Sequence, residues 1–146
     1  MNERAINHST FVIKHNYIPS PERVFAAWSD ASTKAQWFPE AAEFDFQLGG
    51  REIIRGGTPG GSIYTFGACY QEFAHNNRII YTYIMDLGET RKSVSVTTVE
   101  IRPADTGTQL FYTKQGAFPD GHDAPEQREH RTKYMLDKLG DFLKSE

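Results

Sequence analysis

Between residues 43 and 115 the chain repeats one pattern. Short segments of alternating apolar and aromatic residues follow one another, and the gaps between them are too short to hold a helix. Phe44 and Phe46 alternate ahead of Gly49-Gly50, and Arg51 to Arg55 comes next. Tyr64, Phe66, Ala68 and Tyr70 share one parity. Ile79 to Met85, Ser93 to Ile101 and Thr108 to Lys114 complete the series. Period-two alternation marks a strand with one buried face. The separators include His75-Asn76-Asn77, Leu87-Gly88-Glu89 and the run from Pro103 to Gly107. Parallel neighbours would need a crossover of roughly a dozen residues or more, so gaps this short allow only hairpins. The pattern therefore predicts about six antiparallel strands.

The flanks are different in kind. Phe11, Ile13, His15 and Tyr17 alternate and predict a first strand over 10–17. Ser20 can cap a helix, and Pro21 fits the first helical position, where its missing N–H costs nothing. Val24, Phe25 and Trp28 follow at helical spacing. Trp28 is expected in the core between helix and sheet. A second short helix is expected from Ser29 or Asp30 through Trp37, stopped by Pro39. The chain closes on a long amphipathic helix. Its start is either a capping box of Asp123 with Glu126 or Ala124 followed by Pro125. Thr132, Met135, Leu136, Leu139, Phe142 and Leu143 form its apolar stripe, opposite Lys133, Asp137, Asp141 and Lys144. Gly140 is a weak point within it.

The expected class is thus α+β: a curved antiparallel sheet of about 6–7 strands gripping a long C-terminal helix, with two short helices after strand 1. No repeat or linker divides the chain, and Gly56 to Gly61 reads as a hairpin loop. One domain over 1–146 is expected.

Composition narrows the function. Lys plus Arg number 16 against 19 Asp plus Glu, a net charge of −3. That balance argues against nucleic acid, which selects a basic face, and against a polybasic membrane-surface role. The longest uninterrupted apolar run, Val24 to Trp28, is far short of the roughly 20 residues a membrane helix needs. The N-terminus shows no apolar stretch like a secretory signal. Cys69 is the single cysteine, so no intrachain disulfide can form, and a reduced cytoplasmic location is expected. Phe, Tyr and Trp number 10, 7 and 2. So many rings suit either an ordinary core or the wall of a pocket for a flat or greasy ligand.

A family resemblance rests on particular residues. They are Ile18 to Trp28, Trp37-Phe38-Pro39, Asp45, Gly49-Gly50-Arg51, Gly67 through Tyr70, and Asn77 to Ile80. Thr108-Gln109-Leu110, Tyr112 through Phe118 and the helix from Arg128 complete the set. In this order and spacing they resemble the SRPBCC superfamily, with its START-related or helix-grip fold. Within it, the chain is most similar to proteins like the activator of heat shock protein 90 ATPase. The resemblance implies a cavity between sheet and long helix that accepts hydrophobic small molecules or lipids. It also implies, as alternatives, a chaperone-regulating role or a polyketide cyclase-like activity. The chaperone role ranks lower, because in such activators this domain accompanies a second, chaperone-binding one, for which 146 residues leave no room. Two positions depart from similar sequences. Lys114 stands where they often have Glu, and Arg131, just before Thr132, where they often have Gly. A cation at either place alters the ligand or is a solvated surface charge.

The chemical candidates are few. His15 shares the inward parity of Phe11 and Ile13, as a ligand contact or base, or as a strand histidine satisfied by a neighbour. Glu52 is a further acid candidate. Asp120, His122, Asp123, Glu129 and His130 match no metal-ligand spacing and read as loop and cap polarity. The glycine clusters lack the Gly-Lys-Ser/Thr of a phosphate loop. Cys69 has no basic neighbour in sequence to activate it, and Ser93 and Ser95 lack a nucleophile elbow. Tyr70 and Tyr83 read equally as cavity hydroxyls and as ordinary strand residues; Tyr64, Tyr81 and Tyr112 read as strand residues. No metal, cofactor or catalytic constellation is expected, and the sequence reads as a binding protein more than an enzyme. The expected cavity lining is Phe11, Ile13, His15, Trp37, Phe44, Phe46, Phe66, Tyr70, Tyr83, Val96, Tyr112, Met135 and Leu139.

Overall fold

The computed structural model describes residues 5–57, 60–121 and 125–145. The first strand, β1 (Ile6–Tyr17), is followed by α1 (Pro21–Ser29) and α2 (Ala31–Lys34). Six more strands follow: β2 (Glu43–Phe44), β3 (Arg51–Gly57), β4 (Ile63–Ala74), β5 (Arg78–Leu87), β6 (Thr90–Ala104) and β7 (Gly107–Pro119). The last element is α3 (Pro125–Lys144). The strands form one curved sheet in the order β1-β7-β6-β5-β4-β3-β2, with every pairing antiparallel. The expected α+β helix-grip arrangement is what the chain adopts.

Five of the six neighbour pairs are sequential strands, as short gaps dictate. The exception is β1, which pairs with β7 along its whole length, from Ile6 opposite Pro119 to Tyr17 opposite Thr108. The two short helices carry the chain from this edge to the opposite one. The Ser20 hydroxyl accepts from the Arg23 N–H at 3.3 Å, and Asp30 accepts from the Thr33 N–H at 3.0 Å, so each helix starts on a side-chain cap. The regular part of α2 stops at Lys34, short of the expected Trp37. Tighter turns continue it, Gln36 N–H to the Thr33 carbonyl and Trp37 N–H to the Lys34 carbonyl. They deliver Trp37 against Trp28 (ring centroids 4.8 Å apart), with the Trp37 indole donating to the Ala27 carbonyl at 3.0 Å. Trp28 is buried in the core.

The core lies between the sheet's inner face and α3. Phe11, Ile13 and Tyr17 of β1 point inward, as do Val99, Ile101 and Leu110. From α3 come Thr132, Leu136, Leu139 and Leu143. Each fully buried leucine contributes about 1.5–3 kcal/mol relative to an exposed one. The Tyr17 hydroxyl donates to the Leu136 carbonyl at 2.9 Å and ties α3 to the edge strand. Gly140 lies at this contact. A Cβ on it would sit 3.4 Å from the Tyr17 ring, an ordinary contact, so α3 lies close against β1 and still leaves room for a methyl group. The expected capping box at Asp123 and the Ala124 start lie outside the described residues, as do His122 of the polar cluster and Thr58 and Pro59 of the glycine loop.

β6 corrects one expectation. Its inward positions are Ser93, Ser95, Thr97, Val99 and Ile101, while Val94 and Val96 face out, 44% and 37% exposed. Hydrophobicity alone selects the valines for the interior. The parity is instead set by Val99 and Ile101, which continue the same strand into the core, and alternation carries the hydroxyl residues inward with them.

Candidate functional site: an aromatic cavity beneath the last helix

Between α3 and the sheet lies a cavity of about 350 Å³. Its floor is strand: Ile54 and Phe66, then Tyr81, Tyr83 and Met85, then Tyr112 and Lys114, with Tyr64 beside them. One side is the turn after α2, where Trp37, Phe38 and Pro39 project. The roof is α3, which presents Arg128, Arg131, Thr132, Tyr134, Met135 and Lys138. The rings pack on one another, Phe66 against Tyr83 at 4.8 Å and Phe38 against Phe66 at 6.1 Å.

The polar groups in this wall are set by burial. Tyr81 and Tyr112 bring their hydroxyls to 3.5 Å of each other, and burial pushes the Tyr81 phenol well above its ordinary range. Lys114 is only 5% exposed. Its ammonium lies 4.9 Å from the centre of the Tyr83 ring and 5.7 Å from that of Phe11. Burial works against its charge, but the Tyr112 and Tyr83 groups around it outweigh that and hold its pKa above the ordinary lysine value.

Of the residues expected here, Trp37, Phe66, Tyr83, Tyr112 and Met135 line the cavity. Phe11, Ile13, Tyr70 and Leu139 are buried in the core behind or beside it. Phe46 is half-buried against Phe73 and Tyr70, at 4.5 and 4.8 Å. Val96 is on the outer face. Phe44 borders a separate hollow of about 280 Å³ with Lys34 and Glu52. There Lys34 Nζ meets Glu52 Oε1 at 2.7 Å, and the Tyr70 hydroxyl donates to the same oxygen at 2.6 Å. His15 lies at neither place. It stacks on Tyr17 and its Nε2 is 3.1 Å from Asp137 Oδ1, at the seam between β1 and α3. The base candidate read from parity is therefore remote from the ring-lined cavity.

Sequence reasoning left Phe38, Ile54, Tyr81 and Met85 out of the lining. Parity with Tyr83 could have found Tyr81 and Met85. Parity with Tyr112 likewise marks Lys114 as inward. Nothing local marks Phe38 or the α3 cations, because their placement depends on how the helix docks. Among the described residues, no group of three His, Cys, Asp or Glu side chains could hold a metal ion. No helix among them is long and apolar enough to cross a membrane.

A curved antiparallel sheet that holds one long helix over a ring-lined cavity defines the helix-grip class. Within that class, the chain belongs to the family described as Activator of Hsp90 ATPase homolog 1-like protein, whose model matches residues 19–144. It is similar to an uncharacterized protein of Rhizobium leguminosarum, with 37% identity over 98% of this chain and 99% of that one and a TM-score of 0.91. A protein of Rhizobium loti is 40% identical over 94% of this chain and 99% of its own, with a TM-score of 0.89. A protein of Chromobacterium violaceum is 26% identical, covering 92% and 96%, with a TM-score of 0.80. Comparison with curated proteins gives no match.

Proposed function

We propose that the protein binds a hydrophobic or aromatic small molecule, or a lipid, in the cavity between sheet and α3. The observation that carries this reading is the ring-lined space itself. Its volume of about 350 Å³ falls in the range of small-molecule pockets, and its mostly apolar wall with a few hydroxyls and cations is their usual chemistry. Rings this numerous could have closed the interior; here they border a space instead. Native mass spectrometry of freshly purified protein tests the reading, followed by extraction of what denaturation releases. A reproducible extra mass is expected. Met135→Trp places a larger side chain in the roof and is expected to reduce that occupancy. A folded Met135→Trp protein with unchanged occupancy would move the ligand elsewhere.

The family match supports a second reading, a chaperone ATPase regulator-like interaction. A pull-down against the heat shock protein 90 chaperone tests it, and absence of both binding and any change in ATPase rate would remove it.

A further inference from the structure

Among the described residues, the charges that line the cavity are all of one sign: Lys114, Arg128, Arg131 and Lys138, with no aspartate or glutamate. Two acids of α3 are engaged elsewhere: Glu129 lies 3.7 Å from Lys133, and Asp137 pairs with His15. Lys114 is the deepest of the cations. It forms no ion pair among the described residues; its close neighbours are the rings of Tyr83 and Phe11 and the tyrosine hydroxyls. Rings and hydroxyls solvate an ammonium but leave its net charge in place. The tyrosine groups keep the ammonium charged, and no carboxylate among the described residues pairs with it, so the charge is open to an anion.

The strand next to Lys114 carries further hydroxyls, which lie behind the cavity and do not line it. In the ladders Thr97 lies opposite both Lys114 and Tyr81, and Ser95 lies opposite Tyr83. The hydroxyls of Ser95 and Thr97 are buried and have no hydrogen-bond partner among the described residues. The lining thus offers a full positive charge at Lys114 and, among the described residues, no carboxylate to match it.

The geometry points to an apolar monocarboxylate as the ligand, its carboxylate paired with Lys114 at the cavity floor and its apolar body against Trp37, Phe66 and Met135. This rests on the reading of the cavity as a small-molecule site. A single negative charge matches the single deep ammonium. A phosphate would bring a second charge and a larger hydration shell into a wall of rings. Arg131 and Lys138, nearer the surface on α3, favour entry of an anion.

The test is calorimetric titration with matched pairs near neutral pH: naphthoic acid against naphthamide, and phenylbutanoic acid against its amide. Each pair keeps the apolar body and replaces the carboxylate by a neutral amide of similar size, and the two bodies distinguish aromatic from more flexible acids. The wild-type protein is expected to bind the acid of at least one pair roughly tenfold or more tighter than the amide. In Lys114→Met and Lys114→Gln that ratio is expected to fall to near one, with amide binding retained. Equal binding of acid and amide to the wild type would overturn the inference and leave the hydrophobic-ligand reading standing. A preference that survives both variants would overturn the assignment to Lys114. If no probe binds while native mass spectrometry finds a bound apolar ligand, the carboxylate inference falls and the hydrophobic-ligand reading stands; if neither finds a ligand, both fall.

Discussion

Lys34 and Glu52 form a buried ion pair, with Nζ and Oε1 2.7 Å apart and side chains only 5% and 2% exposed. The Tyr70 hydroxyl completes the acceptor's shell, and the Lys34 ammonium also lies 4.8 Å from the centre of the Phe38 ring. The pair fastens α2 to β3 and so fixes the turn that carries Trp37 and Phe38 to the cavity. Burial pulls the Lys34 pKa down, and Glu52 opposes that. Removing one partner strands the other charge, so Lys34→Met is expected to cost about 3–5 kcal/mol. The double variant Lys34→Met/Glu52→Gln is expected to lose clearly less than the two single losses added together. Urea unfolding of the four proteins checks this, and simple additivity would show that the pair is uncoupled.

The cap of α2 gives a pH signature. Hydrogen bonds from the Thr33 hydroxyl and N–H, then from Ser32, hold the Asp30 carboxyl below its ordinary range. A carboxyl lowered in the folded state adds stability above its unfolded pKa, and that part disappears as pH falls through the folded value. Asp30→Ala is expected to cost about 1 kcal/mol at neutral pH. The gap to wild type should narrow in strong acid. Denaturant midpoints measured at both pH values decide it; a gap independent of pH would show that the ionised carboxylate is not what caps the helix.

The two faces of the structure predict opposite responses to the same kind of truncation. Leu139→Ala removes a fully buried side chain from the roof-side core and is expected to cost about 2–5 kcal/mol. Val96→Ala changes the outward face of β6 and is expected to stay within about 0.5 kcal/mol. Thermal and urea unfolding give both numbers. A large loss at Val96 would contradict its outward placement.

Two glycines separate backbone strain from helix propensity. At Gly107, where β6 turns into β7, φ is +91° and a Cβ would lie 2.2 Å from the Tyr17 carbonyl oxygen. Gly107→Ala is expected to destabilise by well over about 1 kcal/mol, since the turn and the end of β1 must both shift. At Gly140, a Cβ would meet the Tyr17 ring at ordinary contact distance. Gly140→Ala is expected to be neutral or to stabilise by up to about 1 kcal/mol, the helix-propensity gain. Melting temperatures rank the two; a destabilised Gly140→Ala would show that α3 packs more tightly on β1 than a methyl group allows.

Much of this architecture was legible in residue order. Tyr64, Phe66, Ala68 and Tyr70 alternate, and β4 follows them inward until a bulge between Tyr70 and Glu72 shifts the register. The stripe from Thr132 to Leu143 marked the buried face of α3. The candidate site was legible only in part. Trp37, Phe66, Tyr83, Tyr112 and Met135 border the cavity, whereas His15, with the same inward parity as Phe11, ends at a seam with Asp137. Parity says which face a side chain takes but not how far along the strand the helix covers it.

The sequence by itself determined the antiparallel sheet, because the gaps between alternating segments are too short for anything else, and it determined the apolar side of the last helix, because that side repeats every three to four residues. Only the tertiary structure decided that β1 closes on β7 across most of the chain, that β6 turns its hydroxyls inward and Val96 out, and that Lys114 lies at the floor of a ring-lined cavity. The reason is the range of the forces. Period and spacing are local and are written in neighbouring residues, whereas the sign of a strand's inner face and the space left between rings depend on contacts between segments distant in the chain.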